Sequence, residues 1–246
     1  MKLPFDNTHR RRIHLMRHAE AAYIAADGTR AADSRVVPLT ERGRAEAAAT
    51  GALLAKLSFD RAICSGLPRT VETATIVLGE RKLALEVVPA LEEIRGGDAV
   101  ARAEISPPDL AYAMFRAGHP DARYAGGEHF VHFAKRVIGA FNHIVAAKDW
   151  ESLLLVCHGG VNRAILTEIT GAGLNAFGAF EQDSCCFNII DVDCCLDSGK
   201  VERWILRAVN ATADDPTKAT RRLLSLEGMA VRLAGTASTA ARAPAR

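Results

Sequence analysis

The segment Ile13-His14-Leu15-Met16-Arg17-His18-Ala19-Glu20 sets a short apolar run directly against a basic pair. A run that short, followed at once by charge, reads as a buried strand whose carboxyl end delivers Arg17 and His18. A second stretch repeats the arrangement. Ser152-Leu153-Leu154-Leu155-Val156-Cys157 is apolar enough for a strand covered on both faces, and it runs into His158-Gly159-Gly160-Val161-Asn162-Arg163. One Arg-His pair after a strand is ordinarily a surface loop. Two strands that each end in a histidine point instead to a ligand site at the carboxyl edge of a sheet, where open α/β sheets place ligands.

Outward from these strands, apolar runs alternate with segments of helical period. Thr40–Leu57 opens with a Thr cap and carries Ala45, Ala48, Ala49, Ala52, Leu53 and Leu57 at helical spacing. Arg61–Cys64 is a strand, Pro68 stands near the start of a helix reaching about Leu78, and Leu85–Val88 is another strand. Phe130–Ala147 is a long amphipathic helix, and Val161–Thr170 a helix that stops at Gly171. Cys185–Asp193 and Val201–Ala208 are final strands joined by a turn at Asp197-Ser198-Gly199-Lys200, one of them antiparallel at a sheet edge. The pattern implies a three-layer α/β/α sandwich around a mostly parallel, roughly six-stranded sheet. Residues 95–127 break the rhythm with Gly96-Gly97, Pro107-Pro108 and Gly126-Gly127, and read as an inserted lid. At least two of its apolar residues Tyr112, Met114 and Phe115 are expected in a helix core. Residues 211–246 read as a C-terminal extension, disordered beyond about Gly235, with an apolar patch at Leu223–Leu233 that docks on the body or on a partner.

With 246 residues the chain can bury a large core without disulfides or metals. A formal net charge of +2 gives no reason to expect a nucleic-acid partner, and no apolar run approaches the roughly 20 residues of a membrane span. The first twelve residues are polar and basic, unlike a secretory signal peptide. Cys64, Cys157, Cys185, Cys186, Cys194 and Cys195 fit neither a disulfide scaffold nor a CxxC zinc site, so they read as small buried hydrophobes in a reducing, cytoplasmic setting.

Two further segments carry chemistry. In Ser65-Gly66-Leu67-Pro68-Arg69-Thr70 the arginine falls in the first turn of a helix, where the helix dipole disfavours a cation unless it holds an anion. Leu91-Glu92-Glu93-Ile94 places two carboxylates just after the third strand. In this order the four segments resemble the histidine phosphatase superfamily, also called phosphoglycerate-mutase-like. Its marks are Arg-His-Gly, Ser-x-x-x-Arg-x-x-x-Thr-Ala, Leu-x-Glu and His-Gly-Gly. They stand here as Arg17-His18-Ala19, Ser65 to Ala74, Leu91-Glu92-Glu93 and His158-Gly159-Gly160, with echoes at Pro38-Leu39-Thr40-Glu41-Arg42-Gly43 and Gly126-Gly127-Glu128. The resemblance spans roughly residues 12–210.

The resemblance implies a metal-independent phosphomonoester hydrolase of the histidine acid type, with no cofactor and a small phosphorylated substrate. His18 is then the nucleophile, Arg17, Arg69 and His158 the phosphate pocket, and Glu93 the proton donor. Gly159, Ser65 and Arg95 complete the substrate-binding set. Ala19 replaces the usual glycine, and Ile24 sits where many members have a phosphate-contacting asparagine, a role Ser65 or Thr40 could take over. Ile94-Arg95-Gly96-Gly97 lacks the tyrosine of the mutases, which favours hydrolysis. A phosphoglycerate-type mutase, a protein-phosphohistidine phosphatase and a non-catalytic phospholigand-binding member are the alternatives, and a homodimer stays open. Arg95, Arg102, Arg116, His119 and Arg123 are candidates to meet further negative charge on a substrate.

Overall fold

In the computed structural model, which describes residues 7–25, 29–220 and 222–240, β1 (Thr8–Arg17) is followed by α1 (Glu41–Leu53), β2 (Arg61–Cys64), α2 (Pro68–Leu78) and β3 (Leu85–Val87). The inserted segment holds the short helices α3 (Ala99–Ala103) and α4 (Pro107–Ala111). Then come α5 (Phe130–Ala146), β4 (Ser152–Cys157), α6 (Gly159–Ile169), β5 (Phe187–Cys195), β6 (Val201–Ala211) and α7 (Ser225–Ala240). The expectation of disorder beyond Gly235 meets a helix as far as Ala240, and residues 241–246 lie outside the described residues.

The six strands form one sheet in the order β3-β2-β4-β1-β5-β6. β1, β2, β3 and β4 are parallel, β5 runs antiparallel to β1, and β6 antiparallel to β5. One of the two final strands, β6, is antiparallel to its neighbour at the sheet edge as expected, and β5 beside it is antiparallel on both sides. The tight turn after β5 makes a hairpin, and the hairpin adds both strands beside β1, leaving β6 outermost. β1 is also longer than its apolar centre suggests. Its basic half, Thr8 to Arg11, pairs only with β5, where Arg10 and Arg12 bond Asp193 and Asp191 at 2.7–3.0 Å. Both aspartates are fully buried, and each takes a second arginine from β6, Arg203 or Arg207. Charge complementarity, not apolar burial, carries the strand past its hydrophobic core.

Helices cover both faces, as the sandwich requires. Alternation along β1 sends Ile13 and Leu15 to one face and Met16 to the other. Ile13 and Leu15 pack with Phe133, Val137 and Phe141 of α5 and Ile165 of α6. Met16 joins Leu154 and Val156 of β4 under Ala47 of α1 and Ala74, Val77 and Leu78 of α2. α1 is capped by the Thr40 side chain, which accepts from the Gly43 amide. It ends at Leu53, short of the expected Leu57, and the carbonyls of Leu54, Ala55 and Leu57 accept instead from the Arg81 guanidinium. Five of the six cysteines are buried and all are free.

In the lid, Met114 is buried but Tyr112 and Phe115 are half exposed, so one of the three, not two, is core. The chain there is a 3-10 turn, Ala113–Arg116. Residues three apart eclipse in that geometry, so Tyr112 and Phe115 stack edge to face on the outer side. Among the described residues no helix is long and apolar enough to cross a membrane.

Candidate active site

The parallel register places Arg17 opposite Cys157 on the neighbouring strand. The next residues, His18 and His158, therefore leave the sheet side by side, with ring centroids 5.3 Å apart. Both are buried. α6 starts directly after His158, two residues before the expected Val161, so its amino end faces the same point.

The tautomers follow from the partners. His18 Nδ1 lies 2.7 Å from the Ala19 carbonyl, which only accepts, so Nδ1 carries the proton and Nε2 keeps its lone pair. The Tyr23 hydroxyl stands 3.4 Å from that Nε2. His158 Nδ1 faces the Arg69 guanidinium at 3.4 Å, so its proton sits on Nε2 and is donated to Ser65 Oγ at 2.8 Å. Ser65 passes the chain on to Thr70 Oγ1, which donates to the Leu67 carbonyl. Burial holds the pKa of each histidine well below the usual value, with the charges of Arg69 and Arg17 pushing the same way.

Ser65 is thus beneath the site: it holds His158 and does not line the cavity, and Thr40 is occupied in capping α1. The cavity, of about 410 Å³, is lined by Arg17, His18, Arg69, Glu93, Arg95 and Gly159 from the expected set. Ile24 and Arg102 also line it, whereas Arg116 is paired with Asp109, and His119 and Arg123 border a separate shallow pocket.

Glu93 is tied to the amino end of α6. One carboxylate oxygen accepts from the Gly160 amide and the other from the Ile94 amide, each at 3.0 Å. The approach requires glycine, since a Cβ at residue 160 would stand 2.3 Å from Glu93 Oε1. Glu92 points elsewhere, gripped by both terminal nitrogens of Arg35 at 2.8 Å and by Arg95 at 3.3 Å. Those arginines hold its carboxyl below the usual range.

Three guanidinium groups, of Arg17, Arg69 and Arg163, line the cavity beside His18. Arg17 Nη1 donates to the Gln182 carbonyl at 2.6 Å and to Ser225 Oγ at 2.9 Å. Arg69 Nη1 donates to the Ser34 carbonyl at 2.9 Å. Arg163, given no role by sequence reasoning, donates to Glu181 at 2.5 Å, and burial lowers its pKa. The Nε atoms of all three are buried and make no hydrogen bond within the chain. Buried N–H groups without a partner are costly, and three arginines that share this feature line one cavity. Arg163 sits four residues after Gly159, one helical turn on, and that spacing was the available signal for it. Tyr23 and Tyr124, with hydroxyls that burial pushes up (Tyr124 to about 12), also line the cavity, and no motif announced either. Among the described residues no three His, Cys, Asp or Glu side chains are placed to share a metal ion.

The histidine phosphatase superfamily (branch 1) profile matches residues 13–205. The adenosylcobalamin/alpha-ribazole phosphatase of Escherichia coli is 30% identical over 185 residues, 74% of this chain and 90% of that protein. A glucosyl-3-phosphoglycerate phosphatase of Mycolicibacterium vanbaalenii is 29% identical over 171 residues, 65% of this chain and 75% of its own. The crystal structure of the alpha-ribazole phosphatase from Shigella flexneri superposes with a TM-score of 0.65 at 27% identity, covering 81% of this chain and 96% of that one. The chain therefore belongs to the histidine phosphatase superfamily, branch 1. Its activity is that of the superfamily's phosphatases, which work through a phosphohistidine.

Proposed function

We propose that the chain hydrolyses small phosphomonoesters with His18 as nucleophile, Glu93 as proton shuttle, and Arg17, Arg69, Arg163 and His158 as the phosphate pocket. The observation that carries this is the gathering of Arg17, Arg69 and Arg163, each with a buried Nε that has no partner, around one cavity beside His18, whose Nε2 keeps its lone pair with the Tyr23 hydroxyl 3.4 Å away. Relatives named for alpha-ribazole and glucosyl-3-phosphoglycerate phosphatase activity support a small phosphorylated substrate.

The steps follow from the geometry. The guanidinium groups and the amino end of α6 hold the phosphoryl oxygens and stabilise their charge in the transition state. His18 Nε2 forms a bond to phosphorus as the ester P–O bond breaks. Glu93 in its protonated form gives its proton to the departing alkoxide. The resulting carboxylate takes a proton from water, whose oxygen then bonds to phosphorus. The N–P bond breaks, and His18 and inorganic phosphate are returned. The His158–Ser65–Thr70 chain fixes the second imidazole, whose Nδ1 in turn orients the Arg69 guanidinium beside the cavity.

An acid-type activity fits this arrangement, because both imidazoles resist protonation well below neutral pH. We read the chain as cytoplasmic, since its buried free thiols suit a reducing compartment. The test is hydrolysis of an aryl phosphate between pH 5 and 8 with EDTA present. Wild-type turnover that disappears in His18→Ala is expected. Turnover that survives the substitution, or that EDTA abolishes, would overturn the assignment.

A further inference from the structure

The matched family region ends at residue 205, yet the wall of the cavity facing the phosphate pocket is built partly by α7, twenty residues beyond it. Leu226, Met229 and Leu233 follow helical spacing and present one apolar face to the cavity. Ile105, Leu110 and Met114 of the lid line the same space, and α4 packs directly on α7. The arginines at the mouth are engaged within the chain. Arg35 and Arg95 hold Glu92, Arg30 donates to the Arg102 carbonyl, and Arg102 donates to the Asp98 carbonyl. A cavity of about 410 Å³ is far larger than a phosphate group needs and falls in the range that encloses whole small molecules.

The helix is also fastened to the chemistry. Ser225, its first residue, accepts from Arg17 and donates through N and Oγ to Glu181 Oε1, at 2.8 and 2.7 Å. The other Glu181 oxygen holds Arg163. Two arginines of the phosphate pocket and the amino end of α7 therefore share one carboxylate and one hydroxyl.

We propose that α7 is the substrate-recognition element of this site, and that the substrates it selects are phosphomonoesters of alcohols with an apolar body, alkyl or aryl, in place of polyhydroxylated or doubly anionic ones. This rests on the hydrolase reading above. The wall supplies desolvation, which grows with each methylene that leaves water by about four-fold in affinity.

Non-hydrolysable phosphonates separate this proposal from the hydrolase reading. Binding of methyl-, butyl- and hexylphosphonate and of 3-phosphonopropionate to the full chain is measured by calorimetry, and hydrolysis of the corresponding phosphates alongside. Affinity is expected to climb at least about thirty-fold from methyl to hexyl, with the carboxylated analogue no tighter than methyl. In Met229→Gln and Leu226→Gln the hexyl-to-methyl ratio should fall about ten-fold. Melting curves confirm that the variants fold, and the wild-type series decides the matter if they do not. A flat wild-type series, or tighter binding of the carboxylated analogue, overturns the proposal. A steep affinity series with no hydrolysis of any ester would instead overturn the hydrolase reading and leave the recognition surface in place.

Discussion

Replacing Gly160 by alanine isolates the contact between Glu93 and the amino end of α6. The added Cβ would meet Glu93 Oε1 at 2.3 Å, its Cδ at 3.2 Å and Phe133 Cζ at 3.4 Å. Carbon–oxygen contacts begin near about 3.3 Å, so the carboxylate must retreat by about 1 Å. A displacement of that size at a reacting group costs on the order of 100-fold in rate, about 2.7 kcal/mol. The helix itself should tolerate the change, because alanine is favoured over glycine in a helix by about 0.8–1 kcal/mol. The assay compares kcat/KM on two esters. An alkyl phosphate needs a proton on its departing alkoxide, whereas p-nitrophenyl phosphate has a leaving group stable without one. The expected result is a loss of about 100-fold on the alkyl ester and of less than about ten-fold on the nitrophenyl ester. Equal losses on both, or none on the alkyl ester, would refute Glu93 as the proton donor.

The buried histidines make stability depend on acid. His14, His18 and His158 have pKa values lowered by burial, His14 to about 4, so below the unfolded value of 6.5 the unfolded chain binds protons that the folded chain refuses. Their contribution is complete above pH 6.5 and is lost as pH falls, by up to about 1.4 kcal/mol per histidine per unit. Denaturant unfolding should show stability falling between pH 7 and pH 5, by about 2 kcal/mol from His14 alone and further from the other two; a drop under about 1 kcal/mol would contradict it. Glu181→Ala leaves the nearly buried Arg163 without its acid and unties Ser225. It should lose about 3 kcal/mol in urea unfolding and raise KM, and unchanged values of both would mean the carboxylate organises nothing.

Elements were legible where apolar period alone decides them: Ser152–Cys157 and Pro68–Leu78 lie where the sequence reading has them. The first half of β1 was not, because Arg10 and Arg12 owe their place to aspartates some 180 residues away and Arg11 to the carbonyls of Val145 and Ala147, and no local pattern reports a partner so distant in the chain. In the site, residues carried by motifs at strand ends come together. Ser65 does not face the cavity because its hydroxyl is needed by His158, a fact invisible in one dimension. Tyr23 belongs to no motif, and Arg163, at the end of the His158–Arg163 stretch, takes its meaning only from the helical turn that brings it back beside Gly159. α7 reads as tail because its composition is poor, and its three apolar contacts with the cavity are meaningful only once the lid stands opposite.

The paired aspartates of β5 have an effect on assembly of the sheet. Asp191 and Asp193 are fully buried, and each is matched to one arginine before it in the chain and one after. A slip of β5 by one residue against either neighbour would turn both carboxylates to the opposite, apolar face. A slip by two would leave one of them uncompensated, at a cost of several kcal/mol. The hairpin can therefore close in a single alignment. The half-exposed arginines it leaves along β6 put positive charge on the outermost strand, which discourages a second molecule from adding itself to that edge.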